Sequence, residues 1–187
     1  MIVIVGESAS GKSSLQNYYI KKHPEYRKGV VFTTRPKRDG EVDGIDYNFV
    51  STRAFNKLVK SEFFAVIEQY RDWYYGVPKS ECESKNSIAI MSPASFRNLK
   101  NQGFSVTSVY LFVDRKTRLI NSLLRGDNIE EAYRRNLTEV GQFDGVAYES
   151  DYVISNSDFH MDIDQVSECL DKVIQQIENK GGEKNAE

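Results

Sequence analysis

The residues best suited to chemistry form a short segment near the N-terminus, Gly6-Glu7-Ser8-Ala9-Ser10-Gly11-Lys12-Ser13. Glycines at both ends let the backbone curl until several N–H groups converge on phosphate oxygens at the start of a helix. Lys12 then supplies a mobile positive charge for the terminal phosphates, and the Ser13 hydroxyl can ligate Mg²⁺. The segment predicts a nucleoside triphosphate site; the alternative is a glycine-rich turn that matches by chance. The residues expected to line this site are Ser8, Ala9, Ser10, Gly11, Lys12, Ser13 and Ser14.

Short apolar runs and helical patterns alternate along the chain. The apolar runs lie at 2–5, 30–32, 87–91, 106–113 and 152–154, and the helical patterns at 11–22, 93–101, 115–125, 130–141 and 162–178. Short unbroken apolar runs are typical of strands that a parallel sheet buries on both faces. The alternation predicts an α/β fold with a phosphate site at the carboxyl end of the first strand. We therefore expect a P-loop NTPase architecture, with three layers (α/β/α) around a parallel central sheet.

Two regions depart from this alternation. Residues 33–79 are rich in aromatic and charged side chains and are predicted to form an inserted subdomain. Its strand-like pieces lie at 47–50, 64–69 and 73–76, and its helical pattern near 52–61. Residues 115–141 concentrate arginine around one glycine and predict a hinged helical lid. We expect a single domain, with a core of 1–32, 80–114 and 142–180 and a disordered tail at 181–187.

The composition is that of an ordinary globular chain, with 187 residues, 40% hydrophobic content and a formal net charge of −2. No apolar run approaches the ~20 residues that cross a bilayer, and a strand predicted from residue 2 leaves no room for a leader. The slight acidity argues against non-specific nucleic-acid binding. The sequence therefore predicts a cytoplasmic protein with no nucleic-acid or membrane partner. Cys82 and Cys169 are expected to be ordinary thiols, and the isolated His23 and His160 do not indicate a zinc site.

The predicted insert carries a longer motif. Residues 33–50 read TTRPKRDGEVDGIDYNFV, which resembles the guanylate kinase signature T-T-R-x-x-R-x-G-E-x-x-G-x-D-Y-x-F. A further match, Tyr74-Tyr75-Gly76, follows at about the separation that the family shows. With these matches and the phosphate loop, the chain resembles the guanylate kinase family. The resemblance covers nearly the whole chain in layout and is specific in the first eighty residues.

The resemblance implies that Arg35, Arg38, Tyr47 and Tyr75 bind the phosphate of an acceptor nucleoside monophosphate, with Glu41 near the metal and the phosphates. The chemistry gives this assignment a reason, because two like charges about 4 Å apart repel by roughly 4 kcal/mol at an effective dielectric near 20. Guanidinium and phenol groups offset that repulsion and hold the acceptor oxygen in line. The alternatives are a solvated basic turn for the arginines, core packing for each tyrosine and a surface carboxylate for Glu41.

The same logic applies to the predicted lid. Arginines that arrive when a site closes can neutralise the moving phosphoryl group and exclude water. The candidates are Arg125, Arg134 and Arg135, and the alternative for each is a solvated helix face. Asn156 resembles the asparagine at the family's adenine site, and the alternative is a turn at the end of a strand.

The departures from the family concern the nucleobase. The family's serine four residues before the first signature arginine is Val31 here, and its D-x-D reads Ile90-Met91-Ser92. The glutamate that reads the guanine edge has a candidate in Glu68, two residues closer to Tyr75 than the family pattern places it. A shift of two residues keeps a side chain on the same face of a strand. Glu68 and Ser92 therefore stay candidates for the acceptor site, and the nucleobase is the open question.

The resemblance implies a kinase that passes the γ-phosphoryl group of ATP to GMP or dGMP with Mg²⁺, acting as a monomer or homodimer. Positioning and charge neutralisation would carry the rate without a general base. The residues assigned to catalysis are Lys12, Arg38, Arg125, Arg134 and Arg135. The alternatives are a kinase for a different or modified nucleoside monophosphate, a sugar or sugar-phosphate kinase, and a non-catalytic scaffold of the same fold.

Overall fold

The computed structural model of the chain describes residues 1–183. These residues form two compact units, which we call unit 1 (Met1–Val5 and His23–Ser108) and unit 2 (Gly6–Lys22 and Val109 onward). Unit 1 contains β1 (Ile2–Val5), β2 (Arg27–Lys28), β3 (Phe32–Thr33), β4 (Asn48–Phe49), α2 (Thr52–Lys60), β5 (Phe64–Tyr70), β6 (Trp73–Pro78), α3 (Lys79–Glu83), β7 (Ser87–Ile90) and α4 (Pro93–Asn101). Unit 2 contains α1 (Lys12–Lys22), α5 (Arg115–Leu124), α6 (Ile129–Thr138), α7 (Val146–Glu149), β9 (Tyr152–Ser155) and α8 (Ile163–Glu183). Strand β8 (Thr107–Phe112) starts in unit 1 and ends in unit 2.

Three strands of unit 1 pair in parallel, in the order β2-β7-β1. Ile2 lies opposite Ile88 and Val3 opposite Ala89. Every residue of β1 is buried, which explains why its apolar run is unbroken rather than alternating. This pairing confirms the predicted mixed α/β fold with parallel central strands.

The predicted insert forms a second sheet in unit 1, of order β4-β3-β6-β5. Strands β5 and β6 form an antiparallel hairpin, in which Glu68 lies opposite Tyr75. The ring of Phe55 in α2 stacks on Phe64, with ring centroids 4.7 Å apart. A Cβ atom on Gly76 would lie 2.6 Å from the Phe64 ring, so only glycine lets this aromatic cluster pack against β6.

Unit 2 is built on the parallel pair β8 and β9, which runs from Val109 opposite Tyr152 to Phe112 opposite Ser155. Helix α1 starts at Lys12, directly after Gly11, whose φ of 89° lies in the left-handed region. The side chain of Tyr19 in α1 donates to Asp171 of α8 at 2.8 Å. Side-chain caps define the starts of α5, at Asp114, and of α6, at Asn128.

Most predicted elements are present, but three details differ. The apolar run 30–32 was assigned to the parallel sheet, whereas its strand is Phe32–Thr33 in the second sheet. The parallel edge strand is the polar β2, which no apolar pattern signals. The short helices α3 and α7 were missed. Helix α8 ends at Glu183, and the rest of the tail predicted to be disordered, 184–187, lies outside the described residues.

Two further sequence expectations can be compared with the structure. Cys82 and Cys169 are free thiols, as predicted. Burial raises the pKa of Cys82 to about 11, so this thiol stays protonated near neutrality. Among residues 1–183, no helix combines the length and the apolar character that a membrane span requires.

Candidate active site

The phosphate loop, residues 6–13, follows β1 and leads into α1. A Cβ atom on Gly6 would lie 2.7 Å from the carbonyl oxygen of Leu111 and 2.8 Å from Oγ of Ser10, so the loop needs glycine at this point. Ala9 adopts a left-handed φ of 64°, and its carbonyl accepts a hydrogen bond from Asn121 of α5 at 3.1 Å. The loop therefore curls into the first turn of α1, where helix N–H groups have no partner within the helix.

The ammonium group of Lys12 lies inside this loop. Its Nζ donates to the Glu7 carbonyl at 2.6 Å and to Ser10 Oγ at 3.4 Å. Burial lowers the pKa of Lys12 to about 8, against the attraction of the Glu139 and Glu7 carboxylates. Lys12 is therefore still largely protonated at neutral pH and holds a positive charge where the loop can bind phosphate.

A buried guanidinium that the sequence analysis missed lies next to the loop. Arg118 of α5 donates from Nε to the Val113 carbonyl at 3.0 Å and from Nη1 to the Ser8 carbonyl at 3.5 Å. Its other contacts are two carboxylates, Glu7 at 3.6 Å and Glu139 at 3.5 Å. The sequence placed Glu7 inside the motif without a role, and nothing in the spacing of Arg118 signalled a long-range partner.

Glu7 also receives a hydrogen bond from the buried hydroxyl of Tyr110, at 3.1 Å. Burial, and then the charge of Glu7, raise the pKa of Tyr110 well above its usual range. Tyr110 therefore remains a hydrogen-bond donor at every physiological pH, and it fixes one end of the Glu7 side chain beneath the loop.

Ser8, predicted to contact the triphosphate, is bound by the second carboxylate of this network. Its backbone N–H donates to both oxygens of Glu139, at 2.9 and 3.1 Å, and its hydroxyl donates to one of them at 2.5 Å. Glu139 lies at the C-terminal end of α6, within the predicted lid. A phosphate-loop amide thus already binds an anionic group of the protein itself.

The other predicted loop residues differ in exposure. Ser10 is buried, whereas Ser13 and Ser14 in the first turn of α1 are exposed. Within the described part of the chain, no group of three or more His, Cys, Asp or Glu residues could hold a metal ion. Metal binding by the Ser13 hydroxyl stays a prediction.

The three predicted lid arginines each pair with a carboxylate of their own region. Arg125 binds Asp127, with Nε 3.0 Å from Oδ1, and this contact raises the pKa of Arg125. Arg134 and Arg135 both bind Glu131, at 2.6 and 3.0 Å, and lower the pKa of that carboxyl to about 2. The charge of Arg125 also acts on Lys12, whose pKa it lowers. A catalytic role for these arginines stays a prediction.

Asn156 directly follows β9 and is buried. Both polar atoms of its side chain bind the backbone of Met161. Its Nδ2 donates to the Met161 carbonyl at 3.1 Å, and its Oδ1 accepts from the Met161 N–H at 2.9 Å. The side chain therefore closes the loop 156–161. Contact with adenine stays a prediction, and this arrangement matches the alternative of a turn at the end of a strand.

In unit 1, the predicted phosphate-binding residues meet at one cluster. Arg35 is buried, and its guanidinium binds Glu41 at 2.6 Å and the Pro36 carbonyl at 2.8 Å. The same guanidinium lies over the rings of Tyr47, at 5.3 Å, and Phe49, at 5.6 Å. Burial alone would lower the pKa of Arg35, but the contact with Glu41 raises it. The cluster therefore holds a permanent cation on an aromatic surface.

The tyrosines and Arg38 extend this cluster. The rings of Tyr47 and Tyr75 lie 6.1 Å apart, and burial raises the pKa of Tyr47. Arg38 is exposed, and its backbone N–H donates to Glu41 at 2.8 Å. Although burial would raise the pKa of Glu41, the hydrogen bonds from Arg35 and Arg38 keep it below its ordinary value. Glu41 thus orders the basic turn here, and its predicted place near a metal stays a prediction.

Glu68 lies directly opposite Tyr75 across the β5–β6 hairpin, and such a pair shares one face of a sheet. Its Oε2 accepts hydrogen bonds from the hydroxyls of Ser92, at 2.6 Å, and Ser95, at 2.5 Å. Ser92 also caps α4, because its hydroxyl accepts from the Ser95 N–H at 3.1 Å. Ser95 was not predicted from the sequence, and no local pattern marks its contact with Glu68, which lies 27 positions earlier.

Comparisons with known proteins agree on one family. A family model described as guanylate kinase matches residues 1–173. Guanylate kinase of Pseudoalteromonas translucida is 32% identical over 168 residues, which cover 85% of this chain and 80% of that protein. Guanylate kinase of Symbiobacterium thermophilum is 33% identical over 167 residues, covering 84% and 78%. The crystal structure of guanylate kinase from Anaplasma phagocytophilum matches with a TM-score of 0.71 at 18% identity, covering 94% of this chain and 84% of that one, and supports the fold. This chain belongs to the guanylate kinase family.

Proposed function

We propose that this protein transfers the γ-phosphoryl group of ATP to GMP or dGMP, giving GDP or dGDP. One observation carries the choice of base. The carboxylate of Glu68 lies on the same sheet face as Tyr75 and accepts hydrogen bonds from two serine hydroxyls. Both hydroxyls donate to Oε2, which leaves Oε1 with acceptor capacity for a ligand.

Guanine matches such a carboxylate because its N1–H and its exocyclic amino group are adjacent donors. Adenine offers an acceptor at N1 and would leave Glu68 facing an unpaired lone pair. A polar site of this kind discriminates against the wrong base, since its own groups lose their hydrogen bonds when that base binds. The two serines would thereby replace part of the family's base site. The family's D-x-D motif, which contributes to that site, reads Ile90-Met91-Ser92 in this chain.

The acceptor phosphate would bind at the cluster of Arg35, Tyr47 and Tyr75. Arg35 is already oriented by Glu41 and by two aromatic rings, so little side-chain entropy is lost on binding. Arg38, which is exposed in the same turn, can swing towards the phosphate. The phosphate is ionised at neutral pH, so no general base is required and positioning carries the reaction.

ATP would bind the phosphate loop, where backbone N–H groups and the Lys12 ammonium receive its phosphates. Arg125, Arg134 and Arg135 are the candidates for stabilising charge during transfer, once they exchange their present carboxylate partners for phosphate. Asn156 stays the candidate for contact with adenine, by its resemblance to the family's asparagine.

Mg²⁺ is the expected metal, and the residues present fit it. Ser13 places an exposed hydroxyl at the start of α1, and Mg²⁺ is commonly held by one or two protein oxygens, substrate phosphates and water. When bound, the ion would neutralise charge on the phosphate oxygens of ATP. The cytoplasmic location and the monomeric or dimeric state stay predictions.

A coupled ADP-release assay on the purified chain tests this proposal, with GMP, dGMP, AMP, CMP, UMP and dTMP as acceptors. GMP or dGMP should give the highest kcat/KM, and Glu68→Gln should lower it by a factor of about 10 to 200. The matched control is Glu83→Gln, which changes an exposed glutamate of α3. Equal activity of the Glu68→Gln variant, or a preference for another base, would refute the proposal.

A further inference from the structure

The contact between Glu139 and the phosphate loop has a consequence for nucleotide binding. The backbone N–H of Ser8 and its hydroxyl are both engaged by one carboxylate, at 2.5 to 3.1 Å. A phosphate loop binds nucleotides by aiming such N–H groups at phosphate oxygens. An oxygen of a phosphate that reaches Ser8 must therefore take the position of a Glu139 oxygen.

We propose, on the basis of the proposed ATP site, that Glu139 is a built-in competitor of the nucleotide phosphates, and that ATP displaces it from Ser8. The side chain of Glu139 is only 17% exposed, so solvent screens its repulsion of a polyphosphate weakly. The two anions cannot share the Ser8 amide.

The cations around Glu139 favour this exchange. Arg118 lies between two carboxylates, Glu7 at 3.6 Å and Glu139 at 3.5 Å, and keeps Glu7 when Glu139 leaves. Lys12 is held by the backbone carbonyl of Glu7. A polyphosphate that replaces Glu139 therefore meets a loop whose positive charges remain in place.

The exchange also reaches the predicted lid, because Glu139 caps the C-terminal end of α6. The same helix carries Arg134 and Arg135, which bind Glu131 one turn earlier. When Glu139 leaves Ser8, this end of α6 loses its tie to the loop. One residue thus couples occupation of the loop to the freedom of the helix with two candidate lid arginines.

Titration calorimetry on the full chain tests the competition, with ATP and inorganic tripolyphosphate as separate ligands. Glu139→Gln keeps the shape of the side chain but removes its charge, and it should bind both ligands about tenfold more tightly than the wild type. Glu139→Ala should change affinity in the same direction. Glu130→Gln removes an exposed carboxylate from the same helix and should stay within about twofold of the wild type.

A second readout follows the helix itself. Tripolyphosphate should speed amide hydrogen exchange at the C-terminal end of α6 in the wild type, and Glu139→Gln should show fast exchange before ligand is added. Unchanged or weaker binding by folded Glu139→Gln and Glu139→Ala would overturn the inference, since it would mean that Glu139 shapes the loop for nucleotide. A wild-type chain that binds neither ligand would contradict the proposed ATP site, and this inference with it.

Discussion

Ser95→Ala is the sharpest test of the base site, because it removes one hydroxyl and leaves the helix cap intact. The Ser95 hydroxyl donates to Glu68 at 2.5 Å, while its backbone N–H keeps its bond to Ser92. A hydrogen bond to a charged group contributes about 1.5–3 kcal/mol. Since Ser92 still donates to the same oxygen, we expect a loss near the lower end, or about a tenfold decrease in kcat/KM for GMP.

The coupled assay with GMP and AMP measures this effect, and kcat/KM for AMP should change by less than about twofold because adenine does not use the carboxylate as an acceptor. Ser92→Ala loses both its bond to Glu68 and the cap of α4, which adds a fall in Tm of about 2–4 °C. Ser105→Ala alters an exposed serine of the same unit and serves as the control. If Ser95→Ala keeps the wild-type kcat/KM for GMP, the serine pair does not orient Glu68 for the base.

The remaining predictions concern the phosphate loop. A Cβ atom on Gly6 would lie 2.7 Å from Leu111 O, so Gly6→Ala should cost about 1–3 kcal/mol of stability and abolish ATP binding in calorimetry. Gly103→Ala is the control, since its φ of +80° is strained for alanine but the space around it is open; it should lower stability by about 1–2 kcal/mol and keep ATP binding. Wild-type affinity for ATP in Gly6→Ala would refute the packing argument. The pKa of Lys12 is about 8 in the folded chain and 10.5 as a free side chain. Between these pH values the unfolded chain therefore binds more protons than the folded chain. The contribution of Lys12 to the free energy of unfolding accordingly rises with pH across that window. In urea unfolding at about pH 7 and about pH 10, the free energy of unfolding of the wild type minus that of Lys12→Met should therefore be larger at the higher pH. A difference that is the same at both pH values would contradict the lowered pKa.

The parts of this fold that the sequence predicted are those in which one local pattern decides the outcome. β1 is buried on both faces and carries an unbroken apolar run. α4 starts at a capping serine followed by proline and ends before Gly103, and its bounds agree with the prediction. The polar strand β2 carried no such pattern, because a sheet edge needs only backbone pairing with β7.

The candidate site also has one part that a local pattern predicts and one part that depends on contacts between distant residues. The cluster of Arg35, Tyr47 and Tyr75, which we propose binds the acceptor phosphate, could be assembled from a motif whose members lie within one sheet and its flanking turns. The network around Arg118 could not, because Ser8 and Glu139 are separated by 131 positions in sequence. Contacts at that separation depend on how α5 and α6 fold back to the loop, which no local periodicity encodes.

Glu68 shows how a carboxylate can shift along a strand and still keep its face of the sheet. Its offset of two residues towards Tyr75 preserves the face of β5, because side chains alternate with a period of two, and the hairpin register sets it directly opposite Tyr75. A shift of one residue would have turned the carboxylate to the opposite face of the sheet. The two serines then supply, from the start of α4, the donors that hold the moved carboxylate. If the base site requires an oriented acceptor on this sheet face, as we propose, then strand parity together with a helix cap supplies one without the family's own spacing.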